Sequence, residues 1–232
     1  MNAPFIPPEE LVQSKMKPVQ RIQQNLLAVG ERRLLTWLAG KMPLWVTPDK
    51  LTATGFFGAC LIAAGYALSA VRIEWLWLSI GAFFINWFGD SLDGSIARFR
   101  KIERPKFGYF IDHSTDSLGN MLLMIGLGAS PFLRMDVALF GLAAYLLLSI
   151  HTFVAARVVD EFRLSYVAAG PTELRLILIG MTLSMFYVGP GTVGDTVFSA
   201  YDYFIGGLAV VLILLFIGQT ASTATQLRRR GE

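Results

Sequence analysis

The sequence predicts an all-α integral membrane protein: six transmembrane helices preceded by an N-terminal amphipathic interfacial helix, with both termini cytosolic. Three observations predict it. Of the 232 residues, 54% are hydrophobic, and they gather in runs near the roughly 20 residues a bilayer requires, too long for a soluble domain of this size. Placing the N-terminus in the cytosol leaves only Arg72 and Arg134 of the 20 Lys and Arg on the far side. Four aspartates, Asp90, Asp93, Asp112 and Asp116, interrupt apolar runs, where a carboxylate costs roughly 2.5–3.5 kcal/mol at the centre of a membrane helix.

Residues 1–46 read as an N-terminal arm and interfacial helix, and 47–232 as the membrane domain. Residues 1–18 are polar and Pro-rich, an arm, and the first fifty residues are polar and interrupted by prolines before any long apolar run, without a signal-peptide pattern, so no leading segment is expected to be removed. Over 19–41, Ile22, Leu26, Leu27, Leu34, Leu35 and Leu38 recur at mostly helical spacing, with Arg21, Arg32 and Arg33 elsewhere on the helix, the pattern of an amphipathic helix in the interface. Spans follow at 51–71, 75–99, 107–129, 137–158, 174–188 and 197–220, the fifth being short. The net charge is only +3, and no nucleic-acid partner is expected. Lone Cys60 sits in an apolar run as a packing residue. No internal repeat or inverted symmetry is evident, which weakens a transporter reading.

Asp90 and Asp93 are three apart, and Asp112 and Asp116 four apart, so each pair shares a helix face. The short basic segment between them predicts antiparallel neighbouring helices whose two faces turn toward each other. Asp90 lies about 22 Å along the helix from Trp75, within the inner leaflet, and pairs in depth with Asp116, as Asp93 does with Asp112. Four converging carboxylates need compensating charge, and hard oxygen ligands without Cys or His favour Mg²⁺, Mn²⁺ or Ca²⁺ over zinc. His113 follows Asp112 but points about 100° away and is read as a bystander. Asn86 and Asn120 are read as interhelical hydrogen-bonding groups, and His151 as a satisfied histidine.

Written out, the pattern is Asp90-x-x-Asp93-Gly94-x-x-Ala97-Arg98, nine residues, then Gly108-x-x-x-Asp112-x-x-x-Asp116. It resembles the signature of the CDP-alcohol phosphotransferase (CDP-alcohol phosphatidyltransferase) family at all eight positions. The resemblance implies a phospholipid-biosynthetic transferase that moves a substituted phosphate from a CDP-linked donor to an alcohol and releases CMP. It implies two divalent ions, Mg²⁺ or Mn²⁺, held by Asp90, Asp93, Asp112 and Asp116, with Asp116 also deprotonating the acceptor alcohol. Gly94, Ala97 and Gly108 would leave room for the donor and Arg98 would bind its phosphates, against the alternatives of helix packing and interfacial snorkelling. Thr47-Pro48-Asp49-Lys50-Leu51-Thr52 resembles the family's Pro-Asn-x-x-Thr segment, which implies nucleotide contact at Pro48 and Thr52; a capped helix start is the alternative, and Asp49 departs from the pattern. A homodimer in the inner or plasma membrane of a bacterium, or an ER-type membrane of a eukaryote, is implied, with the site facing the cytosol.

Ser114 apart, residues 112–117 resemble the Asp-His-Gly-x-Asp-Ser form of ethanolamine- and cholinephosphotransferases, and Gly170-Pro171-Thr172-Glu173 is similar to a Gly-Pro-x-Glu segment of the same enzymes. That points to a CDP-aminoalcohol donor and a diacylglycerol-like acceptor. The rival is a CDP-diacylglycerol donor with a small soluble alcohol such as glycerol phosphate or inositol phosphate, for which Arg100, Lys101, Arg104, Arg157 and Arg163 offer a basic subsite. A divalent-cation channel or transporter is the non-enzymatic alternative.

Overall fold

The computed structural model describes residues 27–158, 171–194 and 196–231, so the expectations for Arg21, Ile22, Leu26, Arg163 and Gly170 lie outside the described residues. Within them the chain is helical: α1 (Ala28–Lys41), α2 (Pro48–Leu68), α3 (Leu76–Arg100), α4 (Pro105–Gly128), α5 (Met135–Val158), α6 (Pro171–Val188) and α7 (Ala200–Arg230), with no strand. Three of these, α2, α5 through Ala156, and α7, are long and apolar enough to cross a membrane. Helices α3, α4 and α6 have 25, 24 and 18 residues, enough length, but carry the charged residues described below.

Each boundary near the site has a local cause. Thr47 is extended and its hydroxyl accepts the Lys50 N–H at 3.4 Å, and Pro48 occupies the first helical turn, where its missing N–H costs nothing. Helix α3 ends where Lys101 turns left-handed at φ 57°, and Pro105 restarts the chain as α4. Arg100 fixes the 42–46 loop through hydrogen bonds to the carbonyls of Val46 (2.6 Å), Met42 (2.9 Å) and Pro43 (2.9 Å). Its guanidinium is thereby committed to structure.

Helix α2 is the central post, packed on both α3 and α4. Close approach depends on glycine. A Cβ on Gly58 would stand 2.6 Å from the Asn86 nitrogen, and one on Gly55 2.9 Å from the Asp90 nitrogen. On the other side a Cβ on Gly126 would stand 2.5 Å from Ala63. The aspartate-bearing faces of α3 and α4 turn toward each other, as the sequence leads one to expect, but across a cleft: the two helices barely touch, because both lean on α2.

Two apolar clusters hold the bundle. One joins Ile62 and Tyr66 of α2 to Phe83, Leu127 and Met185, with the buried Tyr66 and Thr182 hydroxyls 2.5 Å apart. The other joins Leu35 and Ala39 of α1 to Leu51, Leu92 and Ile96. Helix α1 therefore turns Leu35 inward, while Leu34, Val29 and Trp37 stay exposed, so the leucines assigned to one apolar side divide between two. Exposed Phe57, Trp77, Phe84, Ile150, Val154, Leu214 and Ile217 give the bundle an apolar exterior, as lipid contact requires.

The α2–α3 seam makes a sharp prediction. Gly58→Val should cost about 1–3 kcal/mol through overpacking, whereas Gly81→Ala, facing open space, should be neutral or gain up to about 1 kcal/mol. Thermal unfolding of the purified variants in detergent checks both.

Candidate functional site

The N-terminal ends of α2, α4 and α6 and the C-terminal half of α3 enclose a cleft of about 470 Å³, with α1 on its rim. Asp90, Asp93, Gly94, Ala97 and Arg98 line it from α3. Gly108, Asp112 and Asp116 face them from α4, and Pro48 and Thr52 from α2. All the site residues expected from sequence are thus brought together.

The carboxylates are held from several helices. The Thr52 hydroxyl donates to Asp93 Oδ2 at 2.6 Å, and the Gly94 N–H donates to Asp93 Oδ1. Asp116 lies within hydrogen-bonding reach of Asp90 and in the field of Asp112, which supports the expected depth pairing of Asp90 with Asp116. Arg175 of α6 pairs with Asp90 through Nη2 and donates from Nε to Asn86 Oδ1 at 2.9 Å. Asn86 in turn donates to the Gly55 carbonyl at 2.9 Å, so its expected interhelical role holds. Asn120 reaches the Tyr145 hydroxyl, and His151 Nδ1 lies 3.3 Å from the Thr220 hydroxyl.

Around the signature, glycine roles separate. A Cβ on Gly94 would stand 3.1 Å from Arg98 Nη1, so its absence lets the guanidinium fold back along α3. A Cβ on Gly108 would meet nothing, so packing does not account for this glycine. Asp49, the departure from the family pattern, pairs with Arg104, whose guanidinium also lies 4.4 Å from the Phe107 ring centroid.

Three further side chains stand at the site without a functional role assigned from sequence. Arg175 falls inside the fifth expected span, 174–188, and a guanidinium inside a span is itself the signal. His113 was set aside as a bystander, yet its Nδ1 lies 3.7 Å from Asp112 Oδ2, and Asp112, His113 and Asp116 each place a ligand atom within 4.8 Å of the others. The helical offset is overcome because the ring packs edge-on to Tyr109 (4.2 Å) and against Phe153 of α5 (5.1 Å). Glu31 of α1 is the third.

The donor set fits divalent cations. Four carboxylates face one cleft, Arg175 sits on Asp90, and Arg98 acts on Asp93 from a distance, which leaves an excess of hard oxygen ligands.

Residues 45–220 match the CDP-alcohol phosphatidyltransferase family. The chain belongs to this family. Among curated relatives it is 32% identical over 126 residues to the archaetidylinositol phosphate synthase of Methanothermobacter thermautotrophicus, covering 54% of this chain and 59% of that one. It is 24% identical over 240 residues to cholinephosphotransferase 1 of Gallus gallus, covering 88% and 70%. A phosphatidylinositol phosphate synthase of Cutibacterium acnes is 37% identical over 82 residues, covering 35% and 37%. The match thus spans little more than half the length of the archaeal synthase.

Arg175→Gln should destabilise the protein in chelator, since it strips Asp90 of its counter-charge. With the two side chains 15% and 20% exposed, the cost should be about 2 kcal/mol, below the roughly 3–5 kcal/mol of a fully buried pair. A thermal scan should show a fall of roughly 2–4 °C per kcal/mol, recovered on adding Mn²⁺.

Proposed function

We propose that this protein transfers a substituted phosphate from a CDP-linked donor to an alcohol acceptor with release of CMP. The observation that carries the reading is the convergence on one cleft of all eight signature residues, with four carboxylates turned inward. Asp90, Asp93, Asp112 and Asp116 would hold Mg²⁺ or Mn²⁺, and His113 stands beside them. When bound, such ions supply positive charge against the donor pyrophosphate.

The remaining roles belong to the chain. Arg98, given space by Gly94, binds donor phosphate oxygens, and the open surface at Gly108 admits the donor between α3 and α4. Pro48 and Thr52 border the nucleotide. Asp116 accepts the acceptor's hydroxyl proton as that oxygen forms its bond to phosphorus and the bond to CMP breaks.

A CDP-aminoalcohol donor and a diacylglycerol-like acceptor are the preferred pair. Similarity to a cholinephosphotransferase runs over most of the chain. Moreover, of the five basic residues offered for a phosphorylated acceptor, Arg100 is engaged by loop carbonyls and Arg104 by Asp49. The second reading, a CDP-diacylglycerol donor with a small soluble alcohol, is favoured by the higher identity to the archaetidylinositol phosphate synthase. In either case we place six helices across the bilayer as a homodimer, both termini and the cleft on the cytosolic side, where the basic residues collect. A cation channel gives no role to Gly94, Ala97, Arg98 and Gly108.

Transfer should vanish in EDTA and return with Mg²⁺ or Mn²⁺, and Asp90→Asn, Asp93→Asn and Asp112→Asn should each lose most activity while still inserting. Near-normal turnover in any two of these would overturn the reading. Asp116→Asn should bind donor with Mn²⁺ almost normally yet transfer at least about a hundredfold more slowly. Equal losses of affinity and rate would make Asp116 chiefly a ligand. Running CDP-choline, CDP-ethanolamine and CDP-diacylglycerol against matched acceptors decides the branch.

A further inference from the structure

On α1 the inward stripe Glu31, Leu35, Leu38, Ala39 and Met42 keeps helical spacing, but its first member is a carboxylate where packing alone calls for an apolar side chain. That carboxylate is half-buried and well used. Its Oε1 accepts from Trp87 Nε1 at 2.8 Å and the Thr172 hydroxyl at 2.6 Å, with the Ser91 hydroxyl at 3.5 Å. Trp87 and Ser91 belong to α3 and Thr172 to the first turn of α6, so one oxygen ties three helices. A second tie runs the opposite way: Glu173 Oε1 accepts the Leu27 N–H at 3.2 Å.

The tied residues are neighbours of a site contact. Thr172 is three residues before Arg175, hence on the same face of α6, and Trp87 and Ser91 each adjoin a residue that Arg175 touches, Asn86 and Asp90. Helix α6 meets α3 over a small area, so packing between those two helices does little to fix its first turn.

We propose that Glu31 is a positioning residue: by clasping the first turn of α6 to α3, it holds the Arg175 guanidinium on Asp90. The guanidinium occupies the same carboxylate that an entering cation needs. Loosening the clasp therefore frees Asp90 and favours divalent-cation binding, while Arg175 loses its aim toward the cleft. The consequence for transfer rests on the CDP-alcohol reading; the clasp itself does not.

The test uses the full chain purified in detergent, with Glu31→Ala, Thr172→Val and the conservative Glu31→Gln, whose amide oxygen still accepts from both donors. Hydrogen exchange reads the first turn of α6, and Mn²⁺ binding without donor is read by electron paramagnetic resonance. Glu31→Ala and Thr172→Val should speed exchange over 175–178, whose N–H groups bond back to the first-turn carbonyls, and tighten Mn²⁺ binding by about three- to tenfold, with Glu31→Gln close to wild type. Adding Arg175→Gln to Glu31→Ala should give no further tightening, because both changes remove the same competitor. A packing role alone predicts weaker or unchanged Mn²⁺ binding. That outcome in Thr172→Val, or unchanged exchange in both variants, overturns the proposal, and Thr172→Val carries the test where Glu31→Ala fails to fold. Should the wild type bind no Mn²⁺, the metal reading of the cleft fails, and the exchange data alone decide the clasp.

Discussion

The constraint on which this structure depends is mutual repulsion among carboxylates at the end of an apolar bundle. Asp90, Asp93, Asp112 and Asp116 face a common cleft, and Asp116 is close enough to Asp90 for a hydrogen bond. Nothing in the packing alone would gather like charges there, since an aliphatic isostere would remove the desolvation cost. The surrounding residues act as compensation: Arg175 against Asp90, the Thr52 hydroxyl and Gly94 N–H on Asp93. The glycine seam serves the same end. By letting the α2 and α3 backbones approach, Gly55 and Gly58 bring the Thr52 hydroxyl within reach of Asp93 and the Gly55 carbonyl within reach of Asn86.

The opposite end of the bundle shows how an aspartate behaves when its role is structural. Asp202, 4% exposed, accepts the Ser199 N–H at 2.6 Å and the Arg134 N–H at 2.8 Å, and the Ser199 hydroxyl donates to the Phe132 carbonyl at 2.7 Å. Each oxygen has a backbone donor and the capping box closes α7 onto the 130–134 turn. Among the cleft aspartates Asp93 is held in a similar way, by the Thr52 hydroxyl and the Gly94 N–H, whereas Asp90 meets the Asp116 carboxyl and the Arg175 guanidinium, an arrangement suited to exchange of partners and poorly suited to static support.

The sequence made the helices legible because apolar runs of bilayer length admit few alternatives, and it made the signature residues legible because spacing of three and four fixes a helix face. Contacts between helices were less readable. The short connecting loop makes α3 and α4 antiparallel with facing aspartates, yet loop length constrains only the joined ends, and it does not report that small residues on α2 draw both helices to itself and leave a cleft between them. Arg175 and Glu31 receive no role from the sequence, and His113 only a bystander's, for a related reason: each acts with residues far away in sequence or out of helical phase, and no local period reports such partners. Leu34 and Leu35 illustrate the limit of periodicity, since adjacent leucines on α1 serve opposite surfaces.

Those opposite surfaces bear on where the cleft meets its substrates. The inner face of α1 packs on Leu51, Leu92 and Ile96, while its outer face offers Val29, Leu34 and Trp37 beside exposed Leu44 and Trp45. Exposed tryptophans with Arg33 and Lys41 near them are stable at a headgroup boundary and costly in either water or hydrocarbon. On the proposed placement of α1 in the membrane interface, the helix that sets the depth of the protein sets the depth of the cleft with it, because α1 also borders the cleft through Glu31, Arg32 and Leu35. On the proposed reading one substrate is soluble at one end and the other is lipid, and the headgroup boundary is the level both reach. A clasp between α1 and α6 therefore joins membrane position to the aim of Arg175, and ties the charge arrangement of the cleft to the surface on which the protein rests.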